Sequence, residues 1–226
     1  MFRIPNIITL VNLFSGCIAL LFLFQNDIMA VLFSLGICLF ADFSDGFAAR
    51  MLQSYSDMGK ELDSLADMVS FGVLPGFMFF YMLQGGDLTN ITSYGAAGFM
   101  VTLFAALRLA KFNIDTRQSE SFLGLPTPSA TLFIAGLLLI YRSHADSMLF
   151  TWPALLSIAL IISVLMVSDL PMFSLKFKGY SWKGNEIRYI FIIFAVAMFV
   201  LMRDYSLSVV IATYTLYSLV KHLFRK

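Results

Sequence analysis

Charge, cysteine and histidine are all scarce in this chain. Only 13% of its 226 residues are Asp, Glu, Lys or Arg, about half of the ~25% that a soluble globule uses to cover its surface. No large soluble domain fits that balance. The two cysteines, Cys17 and Cys38, both lie inside apolar runs, so neither a disulfide framework nor a thiolate zinc site is supported, and they read as small packing residues. The two histidines, His144 and His222, sit at the ends of apolar segments and far apart, which leaves no histidine metal spacing. Fifteen basic residues against 14 acidic give a net charge of +1, far from the basic footprint of a nucleic-acid binder. No nucleic-acid partner is expected. Internal repeats and low-complexity stretches are also missing.

What the chain has instead is apolar surface: 59% hydrophobic residues, with 24 Phe and 13 Met, and a mean hydropathy of +0.84. This is the composition of a membrane protein. The start, with Arg3 ahead of an apolar run that contains Phe14-Ser15-Gly16-Cys17, superficially resembles a lipoprotein signal. A spanning helix is the better reading, because Asn6 and Asn12 interrupt the run and it continues past Cys17 to Phe24.

A hydrocarbon core about 30 Å thick takes roughly 20 helical residues per crossing. Apolar runs near that length predict about eight spans: Ile7–Phe24, Ile28–Leu52, Leu62–Leu83, Ile91–Leu109, Pro128–Tyr141, Met148–Val167, Tyr189–Met202 and Ser206–Val220. Backbone groups in lipid must be satisfied within the segment, and the alternation of a barrel strand is absent, so these are helices. The expectation is an all-α polytopic transmembrane bundle forming a single domain over residues 1–226. With eight spans, 13 of the 15 Lys and Arg fall on one side and only Arg142 and Arg203 on the other. The positive-inside bias then puts both termini in the cytoplasm. Tyr180, Trp182 and the neighbouring lysines read as an interfacial loop that faces anionic lipid.

Spans two and three carry what a lipid-facing helix should not: Asp42, Asp45, Asp63 and Asp67, with Arg50 between the pairs. Each central Asp costs about 2.5–3.5 kcal/mol to insert, so four cost on the order of 10 kcal/mol unless something compensates. Asp42 and Asp45 are i,i+3 neighbours, with Gly46, Ala49 and Arg50 continuing toward the helix end, while Gly59, Asp63 and Asp67 are successive i+4 steps. A short turn between the spans folds the two stripes face to face. Converging carboxylates make an all-oxygen ligand set for a hard divalent cation, Mg²⁺ or Mn²⁺, and one or two such ions could hold a diphosphate. Gly46 and Gly59 would let a bulky ligand such as a nucleotide approach the backbone. The competing structural readings are ion pairs from Arg50 and Lys60 to two of the acids, and close helix crossing at the small residues.

The complete pattern, Asp42-x-x-Asp45-Gly46-x-x-Ala49-Arg50 followed after eight residues by Gly59-x-x-x-Asp63-x-x-x-Asp67, resembles the signature of the CDP-alcohol phosphatidyltransferases. The flanking runs Ile4-Pro5-Asn6 through Thr9, Leu62 through Pro75, Arg108-Leu109-Ala110-Lys111-Phe112-Asn113, Gly124-Leu125-Pro126-Thr127-Pro128 and Met166 through Ser174 are similar to those of the phosphatidylserine synthases within that family. The resemblance covers nearly the whole chain. It implies an inner-membrane enzyme, its site toward the cytoplasm, that transfers the phosphatidyl group of CDP-diacylglycerol to L-serine and releases CMP. It also implies a homodimer among membrane lipids.

On this reading Asp42, Asp45, Asp63 and Asp67 hold the metal, and Asp67 is also the general base toward the serine hydroxyl. No Ser/His or Cys/His pair accompanies these positions, which favours direct displacement over a covalent intermediate. Arg50 would contact nucleotide phosphate, or snorkel to the interface. Arg108 would bind the lipid phosphate or the serine carboxylate, or anchor the helix at the interface. Asn6 and Thr9 would hydrogen-bond the nucleotide, or simply open a helix after Pro5. Two rival functions remain. A sister enzyme could use glycerol 3-phosphate or an inositol phosphate as acceptor, though a phosphorylated acceptor calls for more cations than the chain supplies. An ion-coupled transporter would also carry intramembrane acids, but near the midplane and often within repeats.

Overall fold

The computed structural model describes residues 3–54, 56–89, 91–115, 123–173 and 181–224. Among these the chain is helical: α1 (Ile4–Phe24), α2 (Ile28–Met51), α3 (Asp57–Met68), α4 (Leu74–Leu83), α5 (Met100–Ile114), α6 (Thr127–His144), α7 (Trp152–Val167), α8 (Glu186–Met202) and α9 (Ser206–Leu223). A lone antiparallel bridge between Leu123 and Pro171 is the only β pairing among the described residues.

Local chemistry sets the helix ends. Pro5 occupies the first turn of α1, where its missing N–H costs nothing. Asp27 caps α2 by accepting from the Ala30 N–H at 3.0 Å, and Asn26 turns the α1–α2 corner with φ +62°. Ser56 caps α3 by accepting from the Gly59 N–H at 3.1 Å. The third span therefore starts at Asp57 and not at Leu62, because a capped, partly charged first turn precedes the apolar run. The fourth begins with a 3₁₀ turn at Gly95–Phe99 and runs on to Ile114, since Arg108 and Lys111 sustain a helix as well as any apolar residue.

Between α3 and α4 the backbone winds as a π turn over Val69–Val73, with the Leu74 N–H bonded to Val69 O. Pro75 has no N–H to offer the preceding turn. The loosened carbonyls find side chains: Thr131 Oγ1 of α6 donates to Phe71 O at 3.2 Å, and Thr102 Oγ1 of α5 donates to Gly72 O at 2.9 Å. The π turn keeps α3 and α4 in one rod and is gripped from two sides.

Burial is inverted relative to a soluble bundle. The inward face of α1 is its polar stripe, Asn6, Thr9, Asn12 and Ser15, beside Gly16 and Ala19. On α2 the outward face is Phe33, Phe40, Phe43 and Phe47, all more than half exposed, whereas Asp45 is buried. A fluid hydrocarbon surround explains both. The core between the rods is apolar, with Leu23, Leu35, Phe71, Met78, Phe79 and Leu138 fully enclosed. A Cβ on Gly16 would stand 3.2 Å from Ser70 Cα, so α1 packs directly on the π turn. Five stretches are long and apolar enough to cross a membrane: Ile4–Phe24, Ile28–Met51, Asp57–Leu83, Gly95–Ile114 and Glu186–Leu223. The last holds both α8 and α9, α7 is a shorter apolar helix, and α6 ends in the polar Tyr-Arg-Ser-His. The chain is an all-α integral membrane protein.

Contacts tie the helix ends into two groups. At one end Lys60 Nζ donates to Asn113 O at 2.9 Å, Lys111 pairs with Asp169 at 2.9 Å, and the Phe173 N–H reaches Ser218 Oγ at 3.1 Å. At the other, Tyr81 donates to Asn26 Oδ1 and Ser143 to Asp204 Oδ2 at 3.3 Å. Arg142 and Arg203 lie at this second end. Trp182 stacks on Tyr189 with centroids 5.3 Å apart; Tyr180, the other aromatic of the expected interfacial loop, lies outside the described residues.

Candidate active site

Helices α1, α2 and α3 meet at the end of the bundle that carries Arg3, Arg50 and Lys60. Their inward polar residues build the site. Asp42, Asp63 and Asp67 each offer a carboxylate oxygen, and these oxygens lie within 4.8 Å of one another. Asp45 stands beside this trio in a different setting: 6% exposed, it accepts from Thr9 Oγ1 at 2.5 Å through Oδ2. Asp67 Oδ1 accepts from Asn12 Nδ2 at 3.1 Å.

None of the four acids has a lysine or arginine partner among the described residues. Arg50 turns its Nε back to Gly46 O at 3.0 Å, and Lys60 is engaged with Asn113 O. The ion-pair explanation of the acids therefore fails. Asp63 Oδ1 is buried without a hydrogen-bond donor, an expensive state for a carboxylate oxygen unless something positive completes it. The all-oxygen chemistry of the trio fits a hard divalent cation such as Mg²⁺ or Mn²⁺.

Next to the trio, and sharing Asp63 with it, lies a cavity of about 850 Å³ lined by Asn6, Thr9, Asp45, Gly46, Ala49, Arg50, Gly59 and Lys60, with Ser54, Ser56 and Phe112 among the rest of its wall. A Cβ built on Gly46 meets nothing within 4 Å; the space in front of it belongs to the cavity and not to a helix crossing. Gly59 is tighter, since its Cβ would lie 3.1 Å from Asn6 Oδ1 and from Ser56 Oγ. Gly46, Ala49 and Gly59 of the signature thus line one cavity with Asn6, Thr9 and Arg50. Arg108 does not. It is 5% exposed and donates through Nε to Leu125 O at 2.5 Å, at the junction of α5 with the segment before α6.

Sequence reasoning passed over Asn12, which is fully buried against Asp67. The signal was present: Asn6, Thr9, Asn12 and Ser15 recur every third residue in an otherwise apolar helix, and a polar stripe in a membrane helix faces protein. Ser54, Ser56 and Lys60 lie in the connection between the two aspartate stripes and its first helical turn, with no spacing to mark them as cavity wall.

The comparisons with known proteins agree with this geometry. The family model of CDP-alcohol phosphatidyltransferase matches residues 2–168, a stretch that contains all four aspartates and the whole cavity lining. The chain is 36% identical over 172 residues to the CDP-diacylglycerol–serine O-phosphatidyltransferase of Bacillus subtilis, covering 74% of this chain and 88% of that one. It is 30% identical to the Methanocaldococcus jannaschii protein of the same name, covering 97% and 94%, and 29% identical to the one from Helicobacter pylori, covering 99% and 92%. With the family match extending across every element that builds the site, the chain belongs to the CDP-alcohol phosphatidyltransferase family.

Proposed function

We propose that this protein transfers the phosphatidyl group of CDP-diacylglycerol to the hydroxyl of L-serine, giving phosphatidylserine and CMP. The observation that carries the reading is the convergence of Asp42, Asp63 and Asp67 beside a cavity of about 850 Å³ walled by Asn6, Thr9, Gly46, Ala49, Arg50 and Gly59. That arrangement suits a nucleoside diphosphate whose lipid tails stay in the bilayer. Relatives named for serine transfer, two of them aligned over 97% and 99% of the chain, support serine as the acceptor.

Asp42, Asp63 and Asp67 would hold one or two Mg²⁺ or Mn²⁺ ions, with Asp45 as a further carboxylate at the edge; the metal supplies charge neutralisation to the diphosphate and to departing CMP. The chain's own groups do the rest. Gly46 and Ala49 leave room for the nucleotide. Arg50, anchored by its Nε on Gly46 O, directs the remainder of its guanidinium at phosphate oxygen. Asn6 and Thr9 line the same wall. Asp67 accepts the serine hydroxyl proton as the serine oxygen bonds to the phosphatidyl phosphorus. The bond from that phosphorus to the bridging oxygen breaks, and CMP leaves with its electron pair. Arg108 serves an anionic group, the serine carboxylate or the lipid phosphate. The protein works as a homodimer in the inner membrane with the site and both termini toward the cytoplasm, in keeping with the cation bias. Mass spectrometry of the lipid formed from CDP-diacylglycerol and L-serine tests the function: phosphatidylserine appears with the intact protein and is absent with Asp63→Asn. No phosphatidylserine from either protein would refute it.

A further inference from the structure

Asn12 lies in the middle of α1 with no exposed surface. Its Nδ2 donates to Asp67 Oδ1 at 3.1 Å, while its own Oδ1 is buried and accepts nothing. Its main-chain carbonyl accepts the Cys38 thiol of α2 at 3.5 Å. Two buried oxygens lack donors, Asn12 Oδ1 and Asp63 Oδ1, and each belongs to a residue that adjoins Asp67: Asn12 by its hydrogen bond and Asp63 within the carboxylate trio. Both would be relieved by a hydrated cation, which brings positive charge to the carboxylate and water O–H groups to the amide oxygen.

We propose that Asn12 is a positioning residue of the cation site. Its amide N–H fixes the rotamer of Asp67 and occupies one carboxylate oxygen, which leaves the other for the ion or the incoming hydroxyl. Its free Oδ1 accepts a hydrogen bond from water on the ion. The inference rests on the metal reading given above but adds a residue outside the aspartate pattern. Hydrogen-bond partners of metal-binding carboxylates typically change metal affinity by ~10–100-fold when removed, and that is the expected size here.

The test is Mn²⁺ binding to the detergent-solubilised protein, followed by the electron paramagnetic resonance signal of free Mn²⁺ in the absence of substrates. Asn12→Leu, close in volume but without donor or acceptor, should weaken Mn²⁺ about 10–100-fold, and Asn12→Ser should do so in the same direction if the leucine protein does not fold. Cys38→Ala, which touches the same helix crossing, should bind Mn²⁺ like the unaltered protein. Because Asn12 acts through Asp67, adding Asn12→Leu to Asp67→Asn should cost little beyond Asp67→Asn alone. Mn²⁺ binding within about twofold of the unaltered protein in both Asn12 variants, or full additivity with Asp67→Asn, would overturn the positioning role while leaving the metal reading intact. Failure of the unaltered protein to bind Mn²⁺ would overturn both.

Discussion

Thr9 Oγ1 donates to Asp45 Oδ2 at 2.5 Å, joining α1 to α2 at the edge of the cavity and setting Asp45 apart from the three acids that converge. In the proposed mechanism this contact orients Asp45 at the cavity wall. Thr9→Val removes the donor and keeps the shape, so Asp45 loses its fixed orientation at the nucleotide wall. The Michaelis constant for CDP-diacylglycerol should rise about tenfold, the ~1.5 kcal/mol of a hydrogen bond to a charged group. Thr9→Ser should restore it. Steady-state kinetics on the three proteins decides.

In the proposed mechanism Asp67 takes the serine proton. In Asp67→Asn turnover should fall by about 10²–10⁴, the usual worth of a positioned general base. Because Asp67 also belongs to the carboxylate trio, the comparison is made at saturating Mn²⁺ and CDP-diacylglycerol, so that weakened binding does not enter the turnover. Single-turnover CMP release at saturating substrate measures the loss, and a variant that keeps near-full turnover would remove the role.

Gly46 faces open space and Gly16 does not, which makes a paired test of the cavity. Gly46→Leu should fill the nucleotide space and abolish activity with a melting temperature close to that of the unaltered protein. Gly16→Leu should lower the melting temperature, because its side chain would drive into Ser70 on the π turn, an overpacking that typically costs about 1–3 kcal/mol. Thermal unfolding in detergent beside CMP release separates the two.

A direct displacement forms no phosphatidyl-enzyme. Labelled CMP should therefore exchange into CDP-diacylglycerol only when serine or phosphatidylserine is present. Exchange with the donor alone would require a covalent intermediate.

How much of this was visible in the sequence depended on the physics behind each feature. Helix positions followed from apolar length, so α2 and the ends of α4 and α7 fall where the runs predicted. The convergence of Asp42, Asp63 and Asp67 followed from helical periodicity across a short turn. Other features depend on tertiary contacts that no spacing records. The start of α3 at Asp57 needs the Ser56 cap, and the π turn needs Thr102 and Thr131 from two other helices to take up Gly72 O and Phe71 O. The engagement of Asp45 by Thr9, and of Arg108 by Leu125 O, depends on which neighbour arrives first at a polar group buried in an apolar bundle. Asn12 lay in plain sight, but only the packing of α1 against α3 reveals what its amide holds.

The most direct test of the whole account is CMP release by the purified protein in detergent, from CDP-diacylglycerol and Mn²⁺ or Mg²⁺, with L-serine, glycerol 3-phosphate, inositol phosphate or no acceptor, before and after chelation of the metal. The account predicts release that requires serine, stops on chelation and returns when the metal is restored. Release driven by another acceptor alone, or serine-dependent release that persists without metal, would contradict it.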